Sequence, residues 1–219
     1  MYDRKLNGKP HTFVVSGKLW NRSLAMMDQE TGSLWSHILG LCMEGKLKDT
    51  ELTALPADMV TWAAWKREHP KTTVLKMSRT NRRFKNDFYK QPERFVIGFR
   101  GKTGFFHRSF TTMKARPLLN IDAGGKQLMI LFNPESTSAR IYSRQLGERE
   151  LTFTVNDKSQ LQDKQTGSIW NHGGTAIEGP LKGKQLQPHV GIVSFTRAWK
   201  TFHPESKEVQ PSKSVNSRG

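Results

Sequence analysis

Two ten-residue stretches carry side chains whose types could do chemistry. Residues 28–37 read Asp-Gln-Glu-Thr-Gly-Ser-Leu-Trp-Ser-His, and residues 163–172 match them at six of ten positions. Each stretch holds an aspartate, a serine and a histidine, the residue types of a hydrolytic triad. On a strand, however, Ser33 and His37 would lie about 13 Å apart along the backbone and could not pair directly. Nucleophilic catalysis is therefore not the expected use of these residues.

The Asp-x-x-Thr-Gly-Ser pattern is typical of a β-turn. The Asp28 carboxylate can accept backbone N–H groups two or three residues further on. Gly32 follows where a left-handed residue is needed, as in a bulged hairpin. We therefore predict a β-hairpin with a tryptophan anchor in each stretch. Its structural motif comprises Thr31, Gly32, Ser33, Trp35, Thr166, Gly167, Ser168 and Trp170.

The two histidines suggest a second hypothesis, which is metal binding. His37 and His172 are related by the repeat, and two copies packed around a pseudo-two-fold axis would bring them together. With Asp28 and Asp163 they would form a nitrogen and oxygen donor set that suits a divalent transition metal. The alternative is that each histidine makes a local hydrogen bond beside its tryptophan.

A basic tract offers a third kind of site. Residues 66–102 contain twelve Lys or Arg against three acidic residues, and Phe84 and Phe88 are interleaved with them. Cations neutralise phosphates and aromatic rings stack on bases, so the tract could bind nucleic acid or another anionic polymer. The alternative is a solvated connector. The candidate anion-binding residues are Arg79, Arg82, Arg83, Lys85 and Lys90.

Composition narrows the classes of protein. The chain of 219 residues has a formal net charge of +16, which favours anionic partners. A single cysteine, Cys42, excludes an intramolecular disulfide and any multi-cysteine metal site. No apolar run is long enough to span a membrane. Without a secretory signal at the start, a cytoplasmic protein is the default expectation.

The duplication extends beyond the two stretches and divides the chain. We predict a first, incomplete repeat at 2–70, a basic connector at 71–93, a second repeat at 94–204 and a disordered tail at 205–219. The first repeat lacks strands equivalent to 94–140, and the register slips by one residue after the repeated histidine. The repeats are expected to pack as one globular unit, because half a repeat has too few strands to bury its aromatic rings.

The remaining patterns indicate a mainly β, β-rich α+β fold of antiparallel hairpins. Gln127 to Phe132 is the most apolar run and predicts a central strand, with Gly124-Gly125 as the turn before it. Two short helices that bear tryptophan are predicted at 61–68 and 194–202. Thr61 and Ser194 are their expected N-caps, and the following His-Pro pairs end both helices.

These residues resemble an uncharacterised prokaryotic family, catalogued as domain of unknown function 3179. The resemblance covers nearly all of residues 2–204. Its motifs are Gly17-Lys18-Leu19-Trp20-Asn21, the repeated Asp-x-x-Thr-Gly-Ser-x-Trp, Glu44-Gly45, Trp62 through Trp65, Gly179 to Lys184, and the His-Pro pairs at 69 and 203. Many members also carry a Cys-Pro-Leu-Cys-like pair before the tyrosine that matches Tyr2. This sequence has no such pair, so the resemblance implies no thiol chemistry here.

The functional expectation follows from the duplication and the resemblance together. Members of the family often look exported, so a periplasmic or extracellular mature form is the alternative to a cytoplasmic protein. The leading hypothesis is a non-catalytic binding or scaffold protein with its site in a cleft between the repeats. The alternatives are a metal-binding protein or metal-dependent enzyme that uses the paired histidines, and a binder of nucleic acid or another anionic polymer. The expected partner of the protein is an anionic polymer or a second protein chain.

Overall fold

The structure, a computed structural model, describes residues 1–74 and 91–211. Its elements are short strands and three short helices, with a single 3-10 turn at Pro92–Arg94. The strands are β1 Lys5–Leu6, β2 Lys9–Pro10, β3 Phe13–Trp20, β4 Ser23–Asp28, β5 Leu34–Ser36, β6 Cys42–Glu44, β7 Phe95–Arg100, β8 Phe105–Ser109, β9 Leu118–Ala123, β10 Lys126–Asn133, β11 Ser138–Ser143, β12 Gln145–Leu146, β13 Arg149–Glu150, β14 Phe153–Val155, β15 Leu161–Asp163, β16 Ile169–Trp170, β17 Ala176–Glu178, β18 Pro188–His189, β19 Ile192–Phe195 and β20 Lys207–Glu208.

The duplication is visible as two equivalent four-stranded antiparallel meanders. In the first copy the strand order is β3-β4-β5-β6, and in the second it is β14-β15-β16-β17. A two-stranded hairpin precedes each meander, β1-β2 in one and β12-β13 in the other. Each meander buries its tryptophan, Trp35 or Trp170, at the centre of a small apolar cluster. The β-rich, antiparallel and duplicated fold predicted from the sequence is confirmed.

Two further sheets belong to the second half of the chain and form the main core. One has the order β19-β7-β8-β20 and the other β18-β11-β10-β9. Their facing sides enclose the largest apolar cluster, which includes Phe99, Phe110 and Ile121. Each of these three side chains is at most 2% exposed. Burial on this scale stabilises the fold by about 1.5–3 kcal/mol for each large side chain.

Strand β10 is the central strand that its apolar run predicted. Its alternate residues point to opposite faces, as a strand requires. Leu128, Ile130 and Phe132 pack into the main core, whereas Met129 and Leu131 pack on the second meander. A strand covered on both faces has no solvated side, so its sequence lacks the usual polar alternation. The β9–β11 sheet therefore joins the second meander to the main core.

Residues 1–74 and 91–211 contain three helices, and the sequence predicted two of them. Helix α1 at Trp62–Glu68 begins at the predicted cap, because the Thr61 hydroxyl accepts a hydrogen bond from the Ala64 N–H. Helix α3 at Thr196–Phe202 begins after Phe195 with no side-chain cap, so the prediction of Ser194 as N-cap is wrong. Ser194 instead lies in β19, which extends up to the helix. Helix α2 at Phe110–Ala115, capped by Ser109, was not predicted.

Nothing in the described parts of the chain is a helix of membrane-spanning length and apolarity. The helices α1, α2 and α3 have six or seven residues each. Each buries an apolar side chain, Ala64 in α1, Met113 in α2 and Trp199 in α3, and α2 and α3 pack on strand β7.

The prediction of a disordered tail from residue 205 is wrong for its first residues. Lys207–Glu208 pairs in parallel with β8, and the Val209 N–H donates to the His107 carbonyl. Val209 is 6% exposed and belongs to the main core. Val209 is the buried apolar side chain of this segment. Because a single buried residue makes no repeating pattern, the segment shows no periodicity in the sequence.

Shortening the Val209 side chain tests whether this segment is part of the fold. We expect Val209→Ala to lower the free energy of unfolding by about 1.5–3 kcal/mol, because two methyl groups leave a packed core. Gln210→Ala, at the exposed neighbouring position, is the matched control. Urea unfolding of both variants measures the difference, and equal stability of the two would show that the segment is not part of the fold.

Candidate functional site

The first Asp-x-x-Thr-Gly-Ser-x-Trp stretch is built around a buried carboxylate. Asp28 is fully buried, and its Oδ2 accepts a hydrogen bond of 2.8 Å from the Trp35 indole N–H. Its Oδ1 accepts from the Thr31 backbone N–H and hydroxyl, each at 2.8 Å. Gly32 has φ +70°, as the predicted left-handed position requires. The aspartate thus closes the turn and anchors the tryptophan at the same time.

The second stretch repeats this geometry almost atom for atom. Asp163 is also fully buried, with Trp170 Nε1 at 2.9 Å from its Oδ2 and the Thr166 N–H at 2.7 Å from its Oδ1. The Ser168 hydroxyl is paired with the Thr166 hydroxyl at 2.7 Å. Its oxygen also accepts from the Leu181 N–H at 3.0 Å. The polar side chains of Asp163, Thr166, Ser168 and Trp170 thus all have hydrogen-bond partners, so the serine hydroxyl is committed to a structural role.

The first copy adds a histidine and a glutamate to this motif. His11 Nδ1 lies 3.3 Å from Asp28 Oδ1 and 3.8 Å from Glu30 Oε2. The corresponding residues of the second copy are Leu151 and Gln165, and Gln165 accepts from the Thr152 N–H as Glu30 does from the Thr12 N–H. Within the parts of the chain that are described, His11, Asp28 and Glu30 are the group whose spacing could hold a metal ion. Their carboxylate oxygens, however, already accept hydrogen bonds, those of Asp28 from Thr31 and Trp35 and those of Glu30 from the Thr12 N–H.

The four predicted metal ligands are not brought together. Asp28 and Asp163 each lie inside their own hairpin. Of the four predicted ligands, only Asp28 belongs to the group of His11, Asp28 and Glu30 whose spacing could hold a metal ion. His37 is exposed, and its Nδ1 lies 2.7 Å from the Leu24 carbonyl oxygen, which is the local hydrogen bond considered as the alternative. The one-residue slip also breaks the pairing of the two histidines. The Tyr142 hydroxyl donates to the His172 carbonyl, whereas Tyr2 donates to that of Ile38.

The predicted anion-binding residues Arg79, Arg82, Arg83, Lys85 and Lys90 lie outside the residues that the structure describes. The anion-binding hypothesis for this tract stays a prediction.

A cleft of about 740 Å³ lies between the two copies, and we call it the first cleft. The first copy contributes the segment at 56–58 and the end of helix α1, with Trp65, Glu68 and His69. The second copy contributes strand β11, the turn at 171–175 and residues 185–191. His172 lines this cleft and His37 does not. The site predicted between the repeats therefore has a physical counterpart, although only one of the two histidines is in it.

Arg140 is the central charged residue of the first cleft. It is 8% exposed, and its Nη2 lies 2.8 Å from both Asp58 Oδ2 and Glu68 Oε2. Burial lowers the pKa of the guanidinium, but the hydrogen bond to Glu68 and the charge of Asp58 outweigh it, so the net shift is upward. Nε of Arg140 is buried without a hydrogen-bond partner among the described residues. This ion triad joins the two copies, since Asp58 and Glu68 belong to the first and Arg140 to the second.

Three other titratable groups of the first cleft, Tyr142, His172 and His189, have pKa values shifted in the direction that favours the neutral form. Burial raises the pKa of Tyr142 to about 12. Loss of solvent around the ring, followed by the charge of Arg140, lowers the pKa of His172. The same desolvation, followed by the charge of Lys126, lowers the pKa of His189. Shifted titration in a concave site marks a candidate binding site.

A second cleft of about 800 Å³ has the same construction with the roles of the copies exchanged. Here helix α3 of the second copy contributes Trp199 and His203, and the first copy contributes Tyr2 and the segments 38–41 and 51–54. His189 lines both clefts. Each cleft thus has the helix of one copy and the tyrosine of the other, which is the arrangement that a pseudo-two-fold duplication produces.

The helix ends of the two clefts repeat each other closely. Trp65 Nε1 donates to the Thr72 hydroxyl at 3.0 Å, and Trp199 Nε1 donates to the Ser206 hydroxyl at 2.8 Å. His69 stacks on Trp65 with ring centroids 4.0 Å apart, and the equivalent pair in the second copy has 4.2 Å. The Trp-x-x-x-His-Pro spacing is therefore a packing unit that ends each helix.

Comparison with known families agrees with this duplication. The sequence model of the family described as "Protein of unknown function (DUF3179)" matches the chain twice, at residues 1–96 and 86–206. The chain belongs to this family. No curated protein and no solved structure matched the chain. The DUF3179 resemblance drawn from the repeated motifs is confirmed, and the two matches fit the two meanders.

Sequence reasoning missed the residues that give the first cleft of this DUF3179 protein its charge, namely Asp58, Glu68 and Arg140. One signal was present. Arg140 stands between Ala139 and Ile141 in a strand with an apolar pattern, and a cation in a buried strand needs a partner. The identity of that partner could not be read from the sequence, since Glu68 is 72 residues away.

Removing the indole donor tests the role of the buried aspartates. We expect Trp35→Phe and Trp170→Phe each to lower the free energy of unfolding by about 1.5–3 kcal/mol, because each leaves a buried carboxylate short of a hydrogen bond. Trp62→Phe, at a residue that is 50% exposed, is the control. Chemical denaturation measures all three, and a Trp62→Phe effect as large as the others would contradict this account.

The Asp28 carboxyl also predicts a pH dependence. Burial raises its pKa, but the hydrogen bonds from Trp35, Thr31 and His11 outweigh burial and hold the pKa below its ordinary value. The ionised carboxylate therefore stabilises the fold above the unfolded pKa of about 3.9, and this stability is lost as the pH falls through the folded pKa.

We expect Asp28→Asn to lose stability at pH 7 and to show a flatter fall in stability between pH 5 and pH 2 than the parent protein. Asp157→Asn changes an exposed carboxylate in the same way and is the control. Unfolding free energies measured across this pH range decide the matter. Parallel curves for the parent and Asp28→Asn would show that this carboxyl is not linked to folding.

Proposed function

We propose that this protein is a non-catalytic binding protein that holds a small polar ligand in the first cleft. The observation that carries the proposal is the ion triad of Asp58, Glu68 and Arg140, in which two exposed carboxylates of the first copy meet a buried guanidinium of the second copy in one concave site. Burying the Arg140 guanidinium is costly unless it is paired, and a purely structural contact could be as stable with apolar residues.

The charge of the first cleft supports a neutral or cationic ligand. Its charged side chains are Arg140, Asp58 and Glu68, so their formal sum is 1 − 2 = −1. His172 and His189 have lowered pKa values and are neutral at pH 7. A local negative charge in a protein whose formal net charge is +16 would favour cations over anions at this place.

The uncharged lining supports a ligand with several hydroxyl or amino groups. Asn171 and Gln185 offer amides, and His172 and His189 offer imidazoles that donate and accept hydrogen bonds. Trp65 and Tyr142 supply aromatic surface beside these polar groups. Aromatic surface with amide and carboxylate partners suits an amino sugar or a comparable polyhydroxylated amine.

A catalytic role has less support than binding. The serine hydroxyls of the repeated motif are committed to the turn, and the four predicted metal ligands are spread over separate places. A nucleic-acid-binding role for the connector at 71–93 remains an alternative hypothesis.

A charge series of one ligand shape tests the proposal. Glucosamine, glucose and glucuronate carry positive, zero and negative charge on the same pyranose ring. We expect glucosamine to bind at least about fivefold more tightly than glucuronate, since the excess side-chain charge of the cleft is negative. Isothermal titration calorimetry at low ionic strength measures the three dissociation constants.

Matched variants assign any binding to the first cleft. We expect Asp58→Asn to weaken glucosamine binding and Asp157→Asn to leave it unchanged, because Asp157 is an exposed carboxylate that does not line the cleft. Absence of binding by the whole series, tighter binding of glucuronate, or equal losses in both variants would overturn the proposal.

A further inference from the structure

We propose that the second cleft is a separate binding site for an organic anion with an apolar body, such as an aryl carboxylate. The two clefts share one architecture, but the residues at equivalent places differ in charge and polarity. The inference rests on the lining of the second cleft and does not depend on what the first cleft binds.

The second cleft carries an excess of positive charge. Its charged side chains are Arg100, Lys102, Lys126 and Glu51, so their formal sum is 3 − 1 = +2. Glu51 lies 3.4 Å from Arg100 across an exposed contact, which neutralises at most one of the three cations. Lys102 and Lys126 have no carboxylate within salt-bridge distance in the part of the chain that is described. A carboxylate ligand would find uncompensated cations at this rim.

The floor of the second cleft is apolar and aromatic. Phe99 and Trp199 are buried beneath it, and Phe105 lies between the Arg100 guanidinium, 5.7 Å from its ring centroid, and the Trp199 ring. Aliphatic surface comes from Ile38, Leu39, Leu41, Leu52, Val190 and Ile192. Such a floor accommodates an apolar ring and leaves its acidic group at the cationic rim.

The two histidines of this cleft, His189 and His203, add no charge, because burial lowers the pKa of each. His203 packs between Phe105 and Trp199, with ring centroids 3.9 and 4.2 Å away. Burial lowers the pKa of His203 to about 4, so the ring is neutral at pH 7. It therefore extends the aromatic floor, and the cationic character of the cleft comes from the lysines and arginine.

Comparison of equivalent positions explains how one architecture gives two specificities. The end of helix α1 places Glu68 in the first cleft, and the end of helix α3 places Phe202 in the second. The first cleft has the ion triad around Arg140, whereas the second is lined by Phe99 and by Lys102 and Lys126, which have no carboxylate partner among the described residues. An acidic polar cleft and a basic apolar cleft would select ligands of opposite charge.

Three naphthalene probes of one size test this inference. They are 1-naphthoate, 1-naphthalenemethanol and 1-naphthylmethylammonium, which are anionic, neutral and cationic at pH 7. We expect naphthoate to bind best and its affinity to fall as salt is raised, because the rim charges are exposed and screened. Isothermal titration calorimetry at two salt concentrations measures this order.

Two double variants separate local charge from the overall charge of the protein. We expect Lys102→Ala with Lys126→Ala to weaken naphthoate binding about three- to tenfold. Lys158→Ala with Lys164→Ala removes the same charge from an exposed hairpin of the second copy and should leave binding unchanged. All four lysines are outside the cores, so both double variants are expected to fold.

The outcomes are decisive for this site alone. No naphthoate binding, equal affinity for the three probes, or equal losses in the two double variants would overturn the inference. Loss of naphthoate binding in Asp58→Asn would place the probe in the first cleft and would also overturn it. Glucosamine binding in the first cleft can succeed or fail independently of these results.

Discussion

The hydrogen bond from a buried indole N–H to a buried carboxylate is the interaction on which both halves of the molecule depend. Trp35 and Asp28 make it in one copy, Trp170 and Asp163 in the other. An unpaired carboxylate at these places would cost several kcal/mol, so its partners are obligatory. In each copy the aspartate therefore holds both the turn and the position of the tryptophan around which the meander packs.

The two copies differ most in how their surroundings cover this shared unit. In the second copy, Met129 and Leu131 of the central strand pack on the meander beside Leu151, which is fully buried. The first copy forms a smaller cluster around Trp35, and His11 stands at the position equivalent to Leu151. A polar residue is tolerated there because its ring retains 12% exposure and lies beside the Asp28 carboxylate.

The two clefts form where the helix of each copy faces the other copy. Each helix ends with the same tryptophan and histidine stack, yet it faces the tyrosine of the other copy. Pseudo-symmetry makes the shapes alike, whereas individual substitutions set the charge. Glu68, Asp58 and Arg140 make one cleft acidic and polar, and Lys102 and Lys126 make the other basic. The duplication thus supplies a common frame in which the linings of the two clefts differ in charge.

The sequence by itself determined the features that depend on near neighbours. A turn within eight residues is predicted by the spacing of Asp28, Thr31, Gly32 and Trp35. The apolar run at 127–132 predicts a central strand. His-Pro pairs end the helices for a steric reason that is equally local. Family membership followed from the same short motifs.

Only the tertiary structure decided which distant residues meet. The ion triad joins residues 72 positions apart, and the parallel pairing of Lys207–Glu208 with β8 spans a hundred residues of chain. The repeated histidines were predicted as a pair because the two sequences align there. A one-residue slip makes His172 structurally equivalent to Ile38, since the carbonyl of each accepts a hydrogen bond from the tyrosine of its copy. Sequence spacing fixes neighbours along the backbone, whereas charge pairing and cleft lining depend on how whole copies pack together.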